Sequence, residues 1–483
     1  MIWNNLAFYQ RAAILAVQSH AAPYIVIIPS TMFTDNWTNA SAPTTLQTNT
    51  SSLSNMTAPA GDTASQTPSL KRASDNDAAQ GLRPGSPEYR RAGLALFLVG
   101  FASFSLIYCV QPLLPAFADS FNVSPASSSL ALSLTTGLLA VSIVLAGAFS
   151  QAVGRRGMIV VSMLLAAVLN IIAALLPSWH GLLIARALEG LVLGGVPAIA
   201  MAWLAEEIHP SHLGRSMGVY VAGTAFGGMA GRVGMGLLTE VTSWRIAMLA
   251  LGFLCLACAV SFWKLLPPSR NITPQPGFNL KFHIQAWKQH LSNRGLLRIY
   301  FIGFLLMSVF VALFNYATFL LSDAPYNFSQ TVISLLFLVY GFGIVSSSVA
   351  GTLADRYGRR RLLMAGLVLM LGGLLLTLLG PWPAIVGGIA VMTTGFFIGH
   401  AVASSAVGPQ AGSNKGHAAS LYLLFYYMGS SIIGSAGGWV WEHGGWSAVV
   451  FMTAGLTVAG MLLALRITDA RPARPDDTTG RVA

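Results

Sequence analysis

The sequence predicts an all-α membrane protein in which twelve transmembrane helices form two parallel six-helix repeats and both termini lie in the cytoplasm. Three observations predict it. From Ala92 onward the chain carries twelve apolar runs, each close to the ~20 residues that cross a bilayer core. Charged residues make up 9% of the chain and apolar ones 54%, against about 25% charged in ordinary soluble proteins, so there is too little charge to coat several water-facing domains. Finally, a basic loop bracketed by glycines occurs twice, 204 residues apart: Gly147-Ala-Phe-Ser-Gln151-Ala-Val-Gly154-Arg155-Arg156 and Gly351-Thr-Leu-Ala-Asp355-Arg356-Tyr-Gly358-Arg359-Arg360.

Residues 1–90 are rich in Ser, Thr, Asn and Pro and carry no sustained apolar period from about residue 34, the composition of a disordered tail. Met56 offers a second possible start within it. The apolar runs then follow at 92–116, 128–149, 158–177, 181–204, 214–238 and 246–266, and at 299–321, 332–353, 362–380, 384–407, 418–440 and 447–466. They must be helices, because backbone in lipid has to close its hydrogen bonds within the segment. Two six-helix bundles are therefore expected at 91–266 and 299–466, joined by a cytoplasmic connector at 267–298 and followed by a tail at 467–483. The connector holds Lys281-Phe-His-Ile-Gln-Ala-Trp-Lys288, a short amphipathic helix suited to a membrane surface. Cys109, Cys255 and Cys258 all lie inside apolar runs and read as small apolar residues rather than a disulfide framework.

Orientation follows from the basic residues. Of 27 Lys and Arg, 24 sit in, or within three residues of, the tails, the connector or the alternate loops beginning with 150–157, which places those segments in the cytoplasm. The net charge of +11 does not point to nucleic acid, because no basic stretch is long or interleaved with aromatics. Duplication has a second trace. A shift of 202 residues superposes Gly214–Trp244 on Gly416–Trp446 with six of 31 positions identical, among them Tyr220/Tyr422, Gly227/Gly429 and Glu240/Glu442.

Enzyme signatures are nearly absent. There is no phosphate-binding loop, and the Gly214-Arg-Ser216-Met-Gly218 match opens a membrane helix instead of sitting at a strand-to-helix elbow. No cofactor and no metal cluster is expected. The second basic loop, by contrast, fits the pattern G-x-x-x-D-R-x-G-R-R at each fixed position, and from Arg90 to about Arg466 the chain resembles the major facilitator superfamily of secondary transporters. Tyr108-Cys-Val-Gln-Pro-Leu-Leu-Pro115, Gly395-Phe-Phe-Ile-Gly-His400 and Ser420–Ser431 are similar to its bacterial YnfM-type branch of efflux proteins. The resemblance implies alternating access in the bacterial cytoplasmic (inner) membrane, driven by protons and acting on a small organic solute, by a monomer. It also implies that Asp355 and Arg359 lock a cytoplasmic gate in the second half. The first half has Gln151 in place of the Asp and so lacks that charge.

Polar groups at membrane depth are costly and mark solute or ion pathways. Arg186-Ala-Leu-Glu189-Gly190 resembles the family's R-x-x-Q-G, with the two charges at i, i+3 on one helix face. Arg232 stands where the family's antiporter motif has Pro, and reads either as a cavity residue or as an arginine snorkelling to the interface. Gln111 and Asn315 fall at matching points of the two halves. With Tyr108, Tyr316, Tyr426 and His400 they complete the expected solute and proton pathway. An uncoupled facilitator of the same fold and a non-transporting membrane sensor stay open as alternatives.

Overall fold

The computed structural model describes residues 81–269 and 280–467, without the side chains of 147–153 and 355. The roles expected of Gly147, Gln151 and Asp355 therefore fall outside the described residues, as do the tail up to residue 80, residues 270–279 and the tail from 468. Among the described residues the chain is helical, with one isolated bridge between Leu82 and Ile208.

The helices are α1 Pro87–Tyr108, α2 Leu114–Phe121, α3 Pro125–Val153, α4 Arg155–Leu175, α5 Trp179–Leu193, α6 Gly195–Glu207, α7 Pro210–Val241 and α8 Trp244–Leu265. The connector contributes α9 Leu280–Ser292. Then come α10 Arg294–Ser322, α11 Gln330–Leu335, α12 Tyr340–Tyr357, α13 Arg359–Leu376, α14 Trp382–Ala411 and α15 Lys415–Ala464. Ten helical stretches among the described residues are long and apolar enough to cross a membrane. The last, α15, has 50 residues and is broken at Gly445 (φ 61, ψ −156). The 32-residue, glycine-rich α7 is not among the ten.

Helix starts follow local chemistry. Ser86, Ser124, Ser178 and Ser243 each accept a backbone N–H of the first turn, and Pro87 and Pro125 sit at the first position, where no N–H is needed. Gly154 and Gly358 both adopt φ 90 between consecutive helices, a backbone that only glycine takes without strain. Order extends further toward the N-terminus than composition indicates. The Leu82 N–H donates to Glu207 O (2.7 Å), and Leu82 O accepts from the His209 N–H (3.2 Å). The Ser216 hydroxyl donates to Tyr89 Oη at 3.0 Å. The Leu82 pairing uses main-chain groups, which a reading of side-chain composition does not see.

Two helix pairs set the bundle. Helix α7 packs on α1, and α15 packs on α10. A β-carbon on Gly227 would lie 2.1 Å from Phe101 O, and one on Gly429 would lie 2.2 Å from Phe304 O. Small residues here let backbones touch, which is how helices associate in lipid, where burial of apolar surface gives no advantage. Further contacts, α3 with α15 and α7 with α11, join the first six long helical stretches to the later ones. Helix α9 docks against the start of α15, with His283 Nδ1 2.8 Å from His417 Nε2.

Candidate functional site

Pro112 lacks an N–H and its ring excludes a regular helix, so α1 stops at Tyr108 and resumes as α2 after a 3₁₀ turn at Gln111–Leu113. The break leaves carbonyls without their helical donors, deep in the bundle. Arg186 supplies them: Nη1 donates to Leu106 O (3.1 Å) and Nη2 to Ile107 O (2.9 Å), while Nε reaches Ala131 O (3.3 Å). Nη1 also meets Glu189 Oε2 at 2.6 Å, with both side chains fully buried. The second carboxylate oxygen, Glu189 Oε1, is buried with no hydrogen-bond partner. Each nitrogen of Arg186 thus has an acceptor, and the oxygen of the pair without a partner is on Glu189.

The same break turns Gln111 toward the centre, where Arg232 Nε donates to Gln111 Oε1 (2.7 Å) and Gln111 Nε2 donates to Asn315 Oδ1 (2.8 Å). Arg232 Nη1 donates to Gly228 O at 2.5 Å. The guanidinium carbon lies 4.2 Å from the Tyr108 ring centre, 4.8 Å from Tyr340 and 5.2 Å from Phe337. Phe337 and Tyr340 come together because the 3₁₀ turn Leu336–Val339 separates α11 from α12, and a 3₁₀ turn eclipses residues three apart. Arg232 is 2% exposed, so it is turned into the bundle and does not snorkel. No ion pair to Arg232 occurs among the described residues, unlike Arg155 with Glu206 and Arg186 with Glu189, so Arg232 faces rings and amides without a carboxylate.

An aromatic path leads onward from Tyr340 through Phe310 and Phe396 to His400, with ring centres 5.3, 3.8 and 5.9 Å apart. His400 Nδ1 lies 3.0 Å from Tyr422 Oη, and its ring lies 4.6 Å from Tyr426. Gln111, Asn315, Arg232, Tyr108, Tyr426 and His400 are therefore linked in one region. Tyr316 is not part of it. Its hydroxyl donates to Gly434 O (2.6 Å) and its ring packs beside Phe319 and Trp441. In the first basic loop Arg155 pairs with Glu206, and Arg156 donates to Trp263 O at 2.6 Å. In the second, Arg359 and Arg360 line a small pocket with Gln410; Arg356 lies beside the Tyr357 ring.

Sequence reasoning missed two carboxylates. Glu240 Oε2 accepts the Thr331 N–H at the start of α11, and Glu442 Oε1 accepts the Ala126 N–H at the start of α3, both at 3.1 Å. Their identity at a 202-residue shift was the available signal. Beside them opens a cavity of about 650 Å³ lined by Asp119, Asn122, Asp323 and Gln330.

The sequence model of the Major Facilitator Superfamily matches residues 96–327 and again 322–482. The chain belongs to this superfamily. Within it, the YnfM-type branch is the relevant one: the chain is 43% identical over 410 residues to the inner membrane transport protein YnfM of Escherichia coli K12, covering 85% of this chain and 96% of that one. It is 42% identical over 382 residues to the uncharacterized MFS-type transporter YybF of Bacillus subtilis 168, covering 79% and 94%. The crystal structure of the nucleoside transporter NupG superposes with a TM-score of 0.64 at 15% identity, covering 78% of this chain and all of that one. This superfamily member is a multi-pass membrane transport protein and not an enzyme.

Proposed function

We propose that this protein is a proton-coupled secondary transporter that exports a small organic solute across the bacterial cytoplasmic membrane by alternating access. Twelve spans fit the reading if α7 crosses the membrane and α15 crosses twice, turning at Gly445. The bundles are then 91–266 and 299–466, with both termini cytoplasmic. The observation that carries the coupling is Glu189: a carboxylate at membrane depth, held by Arg186 through one oxygen and open at the other. Such a group can take up and release a proton as the surrounding helices move, whereas Arg186 stays charged.

Alternating access is supported by how the two bundles touch. Glu240 of the first bundle caps a helix of the second, and Glu442 of the second caps a helix of the first. A carboxylate at a helix N-terminus stabilises by roughly 0.3–1 kcal/mol, enough to bias a gate and weak enough to break in each cycle. In the proposed topology these caps close the outer end.

Reconstituted protein tests the reading. In proteoliposomes an acid-inside gradient should drive solute uptake by antiport, and an uncoupler should abolish it. Flux that ignores the uncoupler would make the protein a facilitator.

A further inference from the structure

We infer that Arg232, set between Tyr108, Phe337 and Tyr340, is the recognition point for a monovalent organic anion, a carboxylate or sulfonate on a flat or aromatic body. The inference deepens the transport reading and rests on it for the claim that the anion is carried as well as bound.

Charge is the first ground. A guanidinium out of water is costly unless a counter-charge accompanies it. Arg186 has that counter-charge in Glu189 at 2.6 Å, while among the described residues Arg232 has none within 4 Å. The centre therefore holds one uncompensated positive charge, which matches a monoanion better than a dianion or a cation.

Hydrogen-bond polarity is the second, and it is independent. Because Arg232 Nε takes Gln111 Oε1, the Gln111 amide must use its N–H on Asn315 Oδ1, and Asn315 is left presenting Nδ2. That donor has no partner, nor do the buried hydroxyls of Tyr340 and Ser133. Arg232 Nη2 also lacks a partner among the described residues. Asn315 Nδ2 and Ser133 Oγ lie within 3.5 Å of where a β-carbon on Gly434 would sit. The network thus ends in spare donors, and an anion offers the acceptors they lack.

Shape is the third. Tyr108, Phe337 and Tyr340 surround the guanidinium with rings, and Phe310 and Phe396 lie beyond, an aromatic setting that suits a planar body.

The test uses the purified full chain in detergent and three probes of one size: benzenesulfonate, benzenesulfonamide and benzyltrimethylammonium. Thermal unfolding is followed against concentration of each at constant ionic strength. Benzenesulfonate should stabilise with an apparent Kd about tenfold or more below those of the neutral and cationic probes, the gap expected of a charge-assisted hydrogen bond. Arg232→Gln should erase that preference and Arg232→Lys should keep part of it, since the charge stays and the planar fork is lost. The inference is overturned if the sulfonamide or the ammonium probe stabilises equally, or if no probe stabilises the wild type. It is overturned too if folded Arg232→Gln keeps the sulfonate response. Counterflow separates this result from the transport reading. Exchange of a neutral or cationic solute without sulfonate binding refutes the anion and keeps the transporter. Sulfonate binding without exchange keeps the site and refutes the transport.

Discussion

Gln111 and Asn315, 204 residues apart, hydrogen-bond each other at 2.8 Å in the middle of the bundle. The same offset separates Gly154 from Gly358 and Asp119 from Asp323. Residues at matching points of a duplicated chain meet where a two-fold axis relating the copies would pass, and the proposed duplication accounts for this pair directly. A contact on such an axis sees both bundles move, which makes it a sensitive point for mutation.

Gln111→Leu should strand Arg232 Nε and Asn315 Oδ1 in a buried site and lower stability by about 1–3 kcal/mol. Adding Asn315→Leu should cost less than the sum of the single changes, because the second orphan disappears with its partner. Denaturation of the two single variants and the double variant in detergent measures the coupling, and strict additivity would contradict a direct bond.

The two carboxylate caps should behave alike. Glu240→Gln and Glu442→Gln retain an acceptor oxygen and remove only the charge, so each should favour opening of that end by about 0.3–1 kcal/mol, roughly two- to fivefold in population. Spin labels at Asn122 and Ala324, both exposed at this end, read the distance distribution. No change from either variant would show that the caps do not hold the gate.

Backbone contact makes Gly227 and Gly429 intolerant of substitution, whereas Gly218 has open space around it. Gly227→Val should reduce folded yield and melting temperature sharply, while Gly218→Ala should stay within about 0.5 kcal/mol of wild type. A well-folded Gly227→Val protein would mean that α1 and α7 pack more loosely than the 2.1 Å approach indicates.

Much of this was legible from residues alone. The paired loops fixed where Gly154 and Gly358 must turn, and polar residues at depth pointed to Gln111, Asn315 and Arg232. What periodicity does not supply is azimuth. Asn315 and Tyr316 are neighbours about 100° apart around a helix, so they cannot both face the centre, and hydropathy treats them alike. Phe337 escaped because an apolar residue in an apolar run carries no signal until the 3₁₀ turn at Leu336–Val339 brings it beside Tyr340. Glu240 and Glu442 stood out as repeat identities, but their partners are 91 and 316 residues away. Only the packed bundle joins them.

The coupling claim rests on Glu189, and one comparison tests it most directly. In proteoliposomes loaded for counterflow, Glu189→Gln should still exchange solute down its gradient at a rate near wild type, yet fail to concentrate it under an acid-inside gradient. Arg186→Lys should lose part of both activities, because the carbonyls of Leu106 and Ile107 lose their planar donor. If Glu189→Gln still concentrates solute in the gradient while His400→Ala does not, proton coupling belongs to His400, and the account of Glu189 is wrong.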